Sequence, residues 1–408
     1  MYSTDEIEQE VFEDDSRIII PGLDEVIDMS TAETFRTGSL LTDLQCGGNG
    51  QDHSKGLVYG LITTISGKSS SGKTAKALES LTTAYYTCKG QVALCYYDVE
   101  KGVNTGYAEK QGIPSDKFNL TTPADNGVIT WYEHFIGFLS ACEKSNVKGI
   151  YVLDSWPSLI DSDKLEGGDA SLDLNQGTFD LSHYKKMKQA LASLLMRCWH
   201  AKVSLIIITH QGTNVGGGKF EKRTKELLPM AAIYYRSNAL EVKEHKSLDI
   251  DSTSGESIGK KLLVENVKSR STRQGITTNQ YYYAGYGVND YESCIWWLYN
   301  TSQKTTKTFG GGKYGGKEAL VEIFAEDFEL ESVADLDKTF KKVKMIDHII
   351  ATLKDRELQD SCDPWLIDTI RQIHKHTERV WHFKESELMK SAGLKNKRLA
   401  HLYGMDDV

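Results

Sequence analysis

Residues Gly67-Lys68-Ser69-Ser70-Ser71-Gly72-Lys73-Thr74 decide the fold. They fit G-x-x-x-x-G-K-[ST] without a mismatch, follow the apolar run Leu61 to Ser66 (LITTIS), and open a segment with helical spacing from Lys73 to Cys88. A strand that turns through glycines into a helix is the setting in which this motif holds phosphate. The glycines let backbone amides point inward, the helix start adds unpaired N–H groups, and Lys73 brings a cation to the β and γ phosphates of a nucleotide. Thr74 offers a hydroxyl to Mg2+. A chance Gly/Ser turn beside a lysine is the alternative, and the complete match with both flanks weighs against it.

Outward from this loop, strand-like and helical runs alternate from Gly56 to about Ser302. After the helix come VALCYYD to Asp98, a helix starting near Asn104, apolar residues at helical spacing from Trp131 to Lys144, and the short run GIYVLD to Asp154. A further helix, Lys185 to His200, leads to the strand SLIIITH, and the runs NALEVKE, KLLVENVKS and QYYYAGYG follow. The alternation predicts an α/β fold with a mainly parallel twisted sheet.

Three regions result: a lead-in or N-terminal arm at 1–55, with Ile18-Ile19-Ile20 stopped by Pro21-Gly22; a core at 56–302; and a linker followed by a helical C-terminal module at 303–408. Two loops interrupt the core, at about 161–178 and 211–229.

Lys and Arg number 48 against 57 Asp and Glu, a net charge of −9, which excludes nucleic-acid binding by bulk charge. The 7 cysteines show no paired short spacings and read as reduced thiols. The start, MYSTDEIEQEVFEDD, is acidic where a secretory leader is basic then apolar, and no window offers eighteen uninterrupted apolar residues. A soluble cytoplasmic protein is expected, with no membrane partner.

A phosphate loop needs a carboxylate for the metal and another group for the attacking water. Asp154 ends GIYVLD and suits the metal. Glu100, two residues beyond the strand ending at Asp98, suits the base, with Asp98 as its competitor.

Together these residues resemble the RecA family of homologous-recombination ATPases, with the phage UvsX type nearest, over roughly Phe35 to Trp297. Arg36-Thr-Gly-Ser-Leu-Leu-Thr-Asp43 is similar to the family's lead-in, and Tyr97 to Tyr107 (YDVEKGVNTGY) to its segment carrying the catalytic glutamate. The resemblance implies an RecA-like core that binds ATP and Mg2+, with Tyr107 stacking on the adenine, Asn104 near the base, and His210 sensing the γ-phosphate after Ile207-Ile208-Thr209. A helix-core tyrosine and a capping histidine are the plainer readings. Val264 to Arg270 (VENVKSR) is similar to the segment whose basic pair, here Lys268 and Arg270, reaches a neighbouring subunit's nucleotide; a solvated strand is the alternative.

The same likeness makes the two loops DNA-binding. The second carries Lys219, Lys222, Arg223 and Lys225 against Glu221 and Glu226, a local positive patch able to neutralise phosphates, or an ordinary solvated run. Two departures stand out: the first loop is acidic, and Glu226-Leu227-Leu228-Pro229 occupies the place of the family's Gly-Gly pair. The tail carries Lys390, Lys395, Lys397 and Arg398, a candidate duplex-DNA or partner surface.

The expected function is ATP-dependent assembly of a helical filament on single-stranded DNA, with pairing and strand exchange against homologous duplex DNA and DNA-stimulated ATP hydrolysis. Mediator and single-strand-binding proteins are the expected partners. A ring helicase or motor of the same fold, and a nucleotide-switched mediator, are the alternatives.

Overall fold

The computed structural model describes residues 31–48, 56–110, 113, 115–160, 194–213, 224–228, 230–248, 259–271, 274–283, 287–289, 293, 296–297, 317, 321 and 329–340. Ile18 to Ile20, the loop at 161–178, Lys219, Lys222, Arg223, and the basic helices expected between Lys344 and Tyr403 lie outside the described residues.

The strands are β1 (Thr34–Phe35), β2 (Leu57–Val58), β3 (Ile62–Gly67), β4 (Ala93–Asp98), β5 (Asn119–Thr121), β6 (Gly149–Asp154), β7 (Val203–Thr213), β8 (Thr224–Glu226), β9 (Asn238–Leu248), β10 (Gly259–Lys268), β11 (Thr277–Tyr283) and β12 (Gly287–Asn289). The helices are α1 (Leu40–Cys46), α2 (Lys73–Thr87), α3 (Thr105–Lys110), α4 (Val128–Ser145), α5 (Met230–Tyr235) and α6 (Val333–Phe340), and residues 194–201 form a further helical segment.

Ten strands make one sheet, in the order β12-β11-β10-β9-β3-β7-β6-β4-β5, with β8 paired to β7. From β9 to β5 the neighbours are parallel, whereas β9 to β12 form an antiparallel extension. Parallel strands must be covered on both faces, which is why β6 and residues 203–209 of β7 are buried throughout. Ile206 and Ile208 pack with Leu78 and Leu81 of α2 on one face; Leu205 and Ile207 pack with Trp131, Phe135 and Leu139 of α4 on the other. This alternation follows from the two-residue period of a strand.

The strand-like run Val58 to Ser66 (VYGLITTIS), ahead of the phosphate loop, is divided between β2 and β3. Gly60 sits at φ +80 in the turn between β2 and β3, where an added Cβ would lie 2.7 Å from Trp199 Cα. β2 turns away to pair with β1.

The lead-in at 36–46 packs as core. Every residue of α1 is buried, and Asp43 Oδ1 accepts from the Thr37 amide at 2.7 Å and the Thr37 hydroxyl at 2.6 Å. Gln45 Nε2 donates to the carbonyls of Val264 and Ile276, each at 2.8 Å, so α1 is fastened to the antiparallel extension.

Candidate nucleotide site and the cations around it

The phosphate loop lies between the end of β3 and the start of α2, at the carboxyl edge of the parallel strands, where α/β sheets bind ligands. Gly67 is where backbones come closest: a Cβ there would stand 2.2 Å from the Val242 carbonyl oxygen. Gly72 caps α2 at φ +95, a conformation glycine adopts without strain. Lys73 Nζ donates to the Lys68 carbonyl at 2.7 Å. Burial pushes the Lys73 ammonium below its ordinary pKa, and Asp154 and Glu100 oppose that shift.

Thr74 and Asp154 converge across 80 residues of sequence: the Thr74 hydroxyl donates to Asp154 Oδ2 at 2.8 Å. The buried Tyr96 hydroxyl donates to the same oxygen at 2.5 Å. Burial raises the Asp154 carboxyl above its ordinary pKa; the hydrogen bonds from Tyr96 and Thr74 oppose this, while Glu100 and Asp98 add to it. A divalent cation offsets that kind of charge crowding. The donor set therefore fits Mg2+ with a triphosphate: a hydroxyl and a buried carboxylate for the metal, and a lysine with a helix start for the phosphates. Ser71 Oγ, buried in the loop without a hydrogen-bond partner, points to the same occupant.

Glu100 lies beside this pair because the amides of Val99 and Glu100 both reach the Asp154 carbonyl, at 2.6 and 3.3 Å, across the ends of β4 and β6. Its Oε1 accepts from the Ser155 hydroxyl, from Ser158 Oγ at 3.3 Å, and contacts His210 Nε2 at 2.7 Å. Burial acts upward on the Glu100 carboxyl, yet the hydrogen bonds from Ser155, His210 and Ser158, with the electrostatic effect of His210, hold it below its ordinary pKa. Asp98, fully buried, accepts the Val103 amide at 2.7 Å and shapes the turn after β4. Of the two competing carboxylates, Glu100 is the one that lines the cleft.

That cleft, of about 260 Å3, is bounded by Ser69 to Ala75, Glu100, Asp154 and His210 on the parallel side. Lys260, Leu262 and Tyr282 close it from the antiparallel extension, with Tyr107 at the end of the wall. The hydroxyls of Tyr107 and Tyr282 lie 3.0 Å apart. Asn104 Oδ1 accepts the Tyr107 amide at 2.8 Å and so caps α3. Lys260 Nζ donates to the Ser70 carbonyl at 3.2 Å and to Glu244 at 3.0 Å.

Lys268 and Arg270 lie at the far end of β10. Eight residues of strand separate Lys268 from Lys260, roughly 27 Å at the usual rise. Lys268 Nζ donates to the carbonyls of Ile233 and Tyr234 at 3.0 and 3.1 Å, and Arg270 Nη2 lies 3.5 Å from the Tyr234 carbonyl. The pair thereby caps the C-terminus of α5. Lys225 belongs to β8, at the base of the second loop.

Sequence reasoning missed Tyr96, Ser155, Ser158, Lys260 and Tyr282. Ser155 follows Asp154 directly and Ser158 stands three residues further on, a proximity that could have flagged them. Lys260 and Tyr282 arrive from strands 186 and 208 residues past Thr74, and no local spacing marks them.

Residues 5–285 match the model of the RecA N-terminal domain. The RecA protein of Bifidobacterium breve is 28% identical over 246 residues, covering 59% of this chain and 55% of that protein. That of Mycoplasma genitalium is 33% identical over 138 residues, covering 34% and 36%. The chain thus spans about half the length of the first of these curated relatives and about a third of the second. A solved structure of the RadB recombinase aligns at a TM-score of 0.42 with 19% identity, over 62% of this chain and 98% of that one. With well over half of its residues matched by the domain model, the chain belongs to the RecA N-terminal domain family.

Proposed function

We propose that the chain is an ATP-dependent DNA recombinase that assembles as a helical filament on single-stranded DNA and pairs it with homologous duplex DNA. One observation carries the reading. Lys73, Thr74, Asp154, Glu100 and His210 meet at one edge of the sheet, while Lys268 and Arg270 stand at the opposite edge, too far away to serve the same nucleotide. Cations at that distance suit the nucleotide of an adjacent subunit, so that assembly and hydrolysis depend on each other.

In this reading the loop amides and Lys73 hold the β and γ phosphates of ATP. Thr74 and Asp154 hold Mg2+, which supplies charge neutralisation to the phosphates when bound. Glu100, kept ionised by Ser155 and His210, accepts a proton from the water that attacks the γ-phosphorus, and ADP departs. His210 joins Glu100 to strand β7 and thus to the second loop, a route by which DNA contact reaches the base. Tyr107 contributes an aromatic face for the adenine, and Lys219, Lys222, Arg223 and Lys225 meet the DNA backbone. Kinship with the phage UvsX type rests on the sequence resemblance alone.

The test is ATP turnover with and without single-stranded DNA, alongside strand exchange and negative-stain imaging. Stimulated turnover, exchanged product and open helices are expected. Closed rings would favour the motor reading, and turnover indifferent to DNA with no exchange would overturn the recombinase.

A further inference from the structure

The second loop leaves the core as a hairpin. Gln211, Gly212 and Thr213 of β7 pair with Glu226, Lys225 and Thr224 of β8. The base of this hairpin is held by a buried polar cluster that the mechanism above does not use. Glu226 Oε1 accepts the Ser66 hydroxyl at 3.1 Å, and its Oε2 accepts Arg236 Nη1. The same Arg236 nitrogen donates to Thr64 Oγ1 at 2.9 Å. The side chains of Arg236 and Glu226 are 6% and 15% exposed. Ser66 immediately precedes Gly67, the first residue of the phosphate loop. The next residue along, Leu227, donates its amide to the His210 carbonyl at 2.9 Å, and its own carbonyl accepts Thr209 Oγ1 at 2.9 Å.

We propose that Glu226 and Arg236 form a clamp that ties the base of the second loop to β3 just ahead of the phosphate loop, and so delivers DNA engagement at the loop to the nucleotide site. The inference rests on the reading of the chain as a DNA-stimulated ATPase and names the residues that couple its two sites. Three observations favour a positioning role over plain stability. A buried ion pair is seldom more stable than apolar side chains of the same size, so its placement needs another reason. This pair touches both sites: Lys225 is one neighbour of Glu226, and Ser66 joins it to Gly67. Finally, hydrogen-bonded charges hold discrete arrangements, so a displaced β8 moves Leu227, and with it His210 and the Glu100 contact, as a unit.

The experiment compares Glu226→Gln with wild type for basal ATP turnover, half-saturating single-stranded DNA, turnover at saturating DNA, and Tm. Basal turnover and half-saturation should stay within about threefold of wild type, while the DNA-induced increment falls about fivefold or more, the lower range of measured site-to-site coupling. A merely structural role would instead lower Tm and basal turnover together. Ser66→Ala, which removes only the hook on β3, should lower the increment to a smaller degree, and it supplies the reading if Glu226→Gln loses its fold. A stimulated wild type with equally stimulated Glu226→Gln and Ser66→Ala overturns the clamp alone. A wild type that DNA does not stimulate overturns the recombinase reading and the clamp with it.

Discussion

Lys73 and Lys268 both direct their ammonium groups at backbone carbonyls, and burial lowers the pKa of both, yet their electrical settings are opposite. Around Lys73 the burial is opposed by two carboxylates, Asp154 and Glu100. Around Lys268 it is compounded by two further cations, Arg270 and Arg236. Among the described residues no carboxylate pairs with Lys268 or Arg270. One edge of the sheet is thus a site with its own counter-charges; the other is a cluster of cations held by helix-end carbonyls. The difference matches the proposed division of labour, in which the first set acts within the chain and the second serves a neighbouring subunit.

Four variants can break or sharpen this contrast. Lys73→Ala removes the cation from the site that holds both carboxylates, leaving them without it beside the phosphates. ATP binding should be lost and turnover should fall about a thousandfold or more, since a preorganised charge at developing phosphate charge carries effects of this size. Near-normal ATP binding by Lys73→Ala, measured by calorimetry, would place the nucleotide elsewhere. Replacing Lys268 and Arg270 with methionine should leave ATP binding intact and lower turnover of the assembled protein about a hundredfold. The decisive measurement is mixing. Subunits lacking Lys268 and Arg270 still carry an intact Lys73 site, so combining them with Glu100→Gln subunits should restore part of the activity. No restoration would mean that both edges serve the same chain.

Glu100→Gln comes next, with ATP bound normally and hydrolysis slowed about a hundredfold, the range expected for loss of a general base. Assemblies should then persist longer after ATP addition, because the bound state is no longer discharged. Normal hydrolysis by this variant would return the base role to Asp98, although Asp98 is fully buried and committed to the Val103 amide.

The sequence made the first edge easier to read than the second, for a physical reason. Gly67 to Thr74 is a contiguous device whose amides, lysine and hydroxyl must be adjacent to work, so its spacing survives in the chain as a pattern. GIYVLD and SLIIITH were legible because parallel strands buried on both faces are unbroken apolar runs. Lys260 and Tyr282 were not, because a sheet brings distant strands together by pairing, and pairing leaves no spacing to count. The break at Gly60 was hidden for a related reason: an isolated glycine in an apolar run does not announce a turn until the backbone of Trp199 is seen against it. The Glu226–Arg236 pair was invisible altogether, since ten residues and a helix separate partners that meet only when the hairpin folds over β3.

The smallest effect, and the one that bears most closely on the electrical contrast, is on stability. Asp154→Asn removes a buried carboxylate that faces Glu100 and Asp98, while an asparagine oxygen can still accept from Tyr96 and Thr74. Two effects compete. Lys73 loses one counter-charge, which favours the wild type, but it keeps Glu100 and its hydrogen bond to the Lys68 carbonyl. Against this, the raised pKa of Asp154 means that its ionised form is disfavoured in the fold relative to the unfolded chain, a cost present at neutral pH and relieved as pH falls through the raised value. The second effect should win, so that without nucleotide the variant melts about 1–3 °C above wild type, as functional sites often hold charge that stability alone would not select. The rise in Tm that Mg2+ and ATP give the wild type should shrink in the variant, because the carboxylate proposed to hold the metal is gone. A fall in Tm without nucleotide would show that the attraction between Asp154 and Lys73 outweighs the crowding of carboxylates, and the contrast with Lys268 would then lie in that attraction rather than in the crowding.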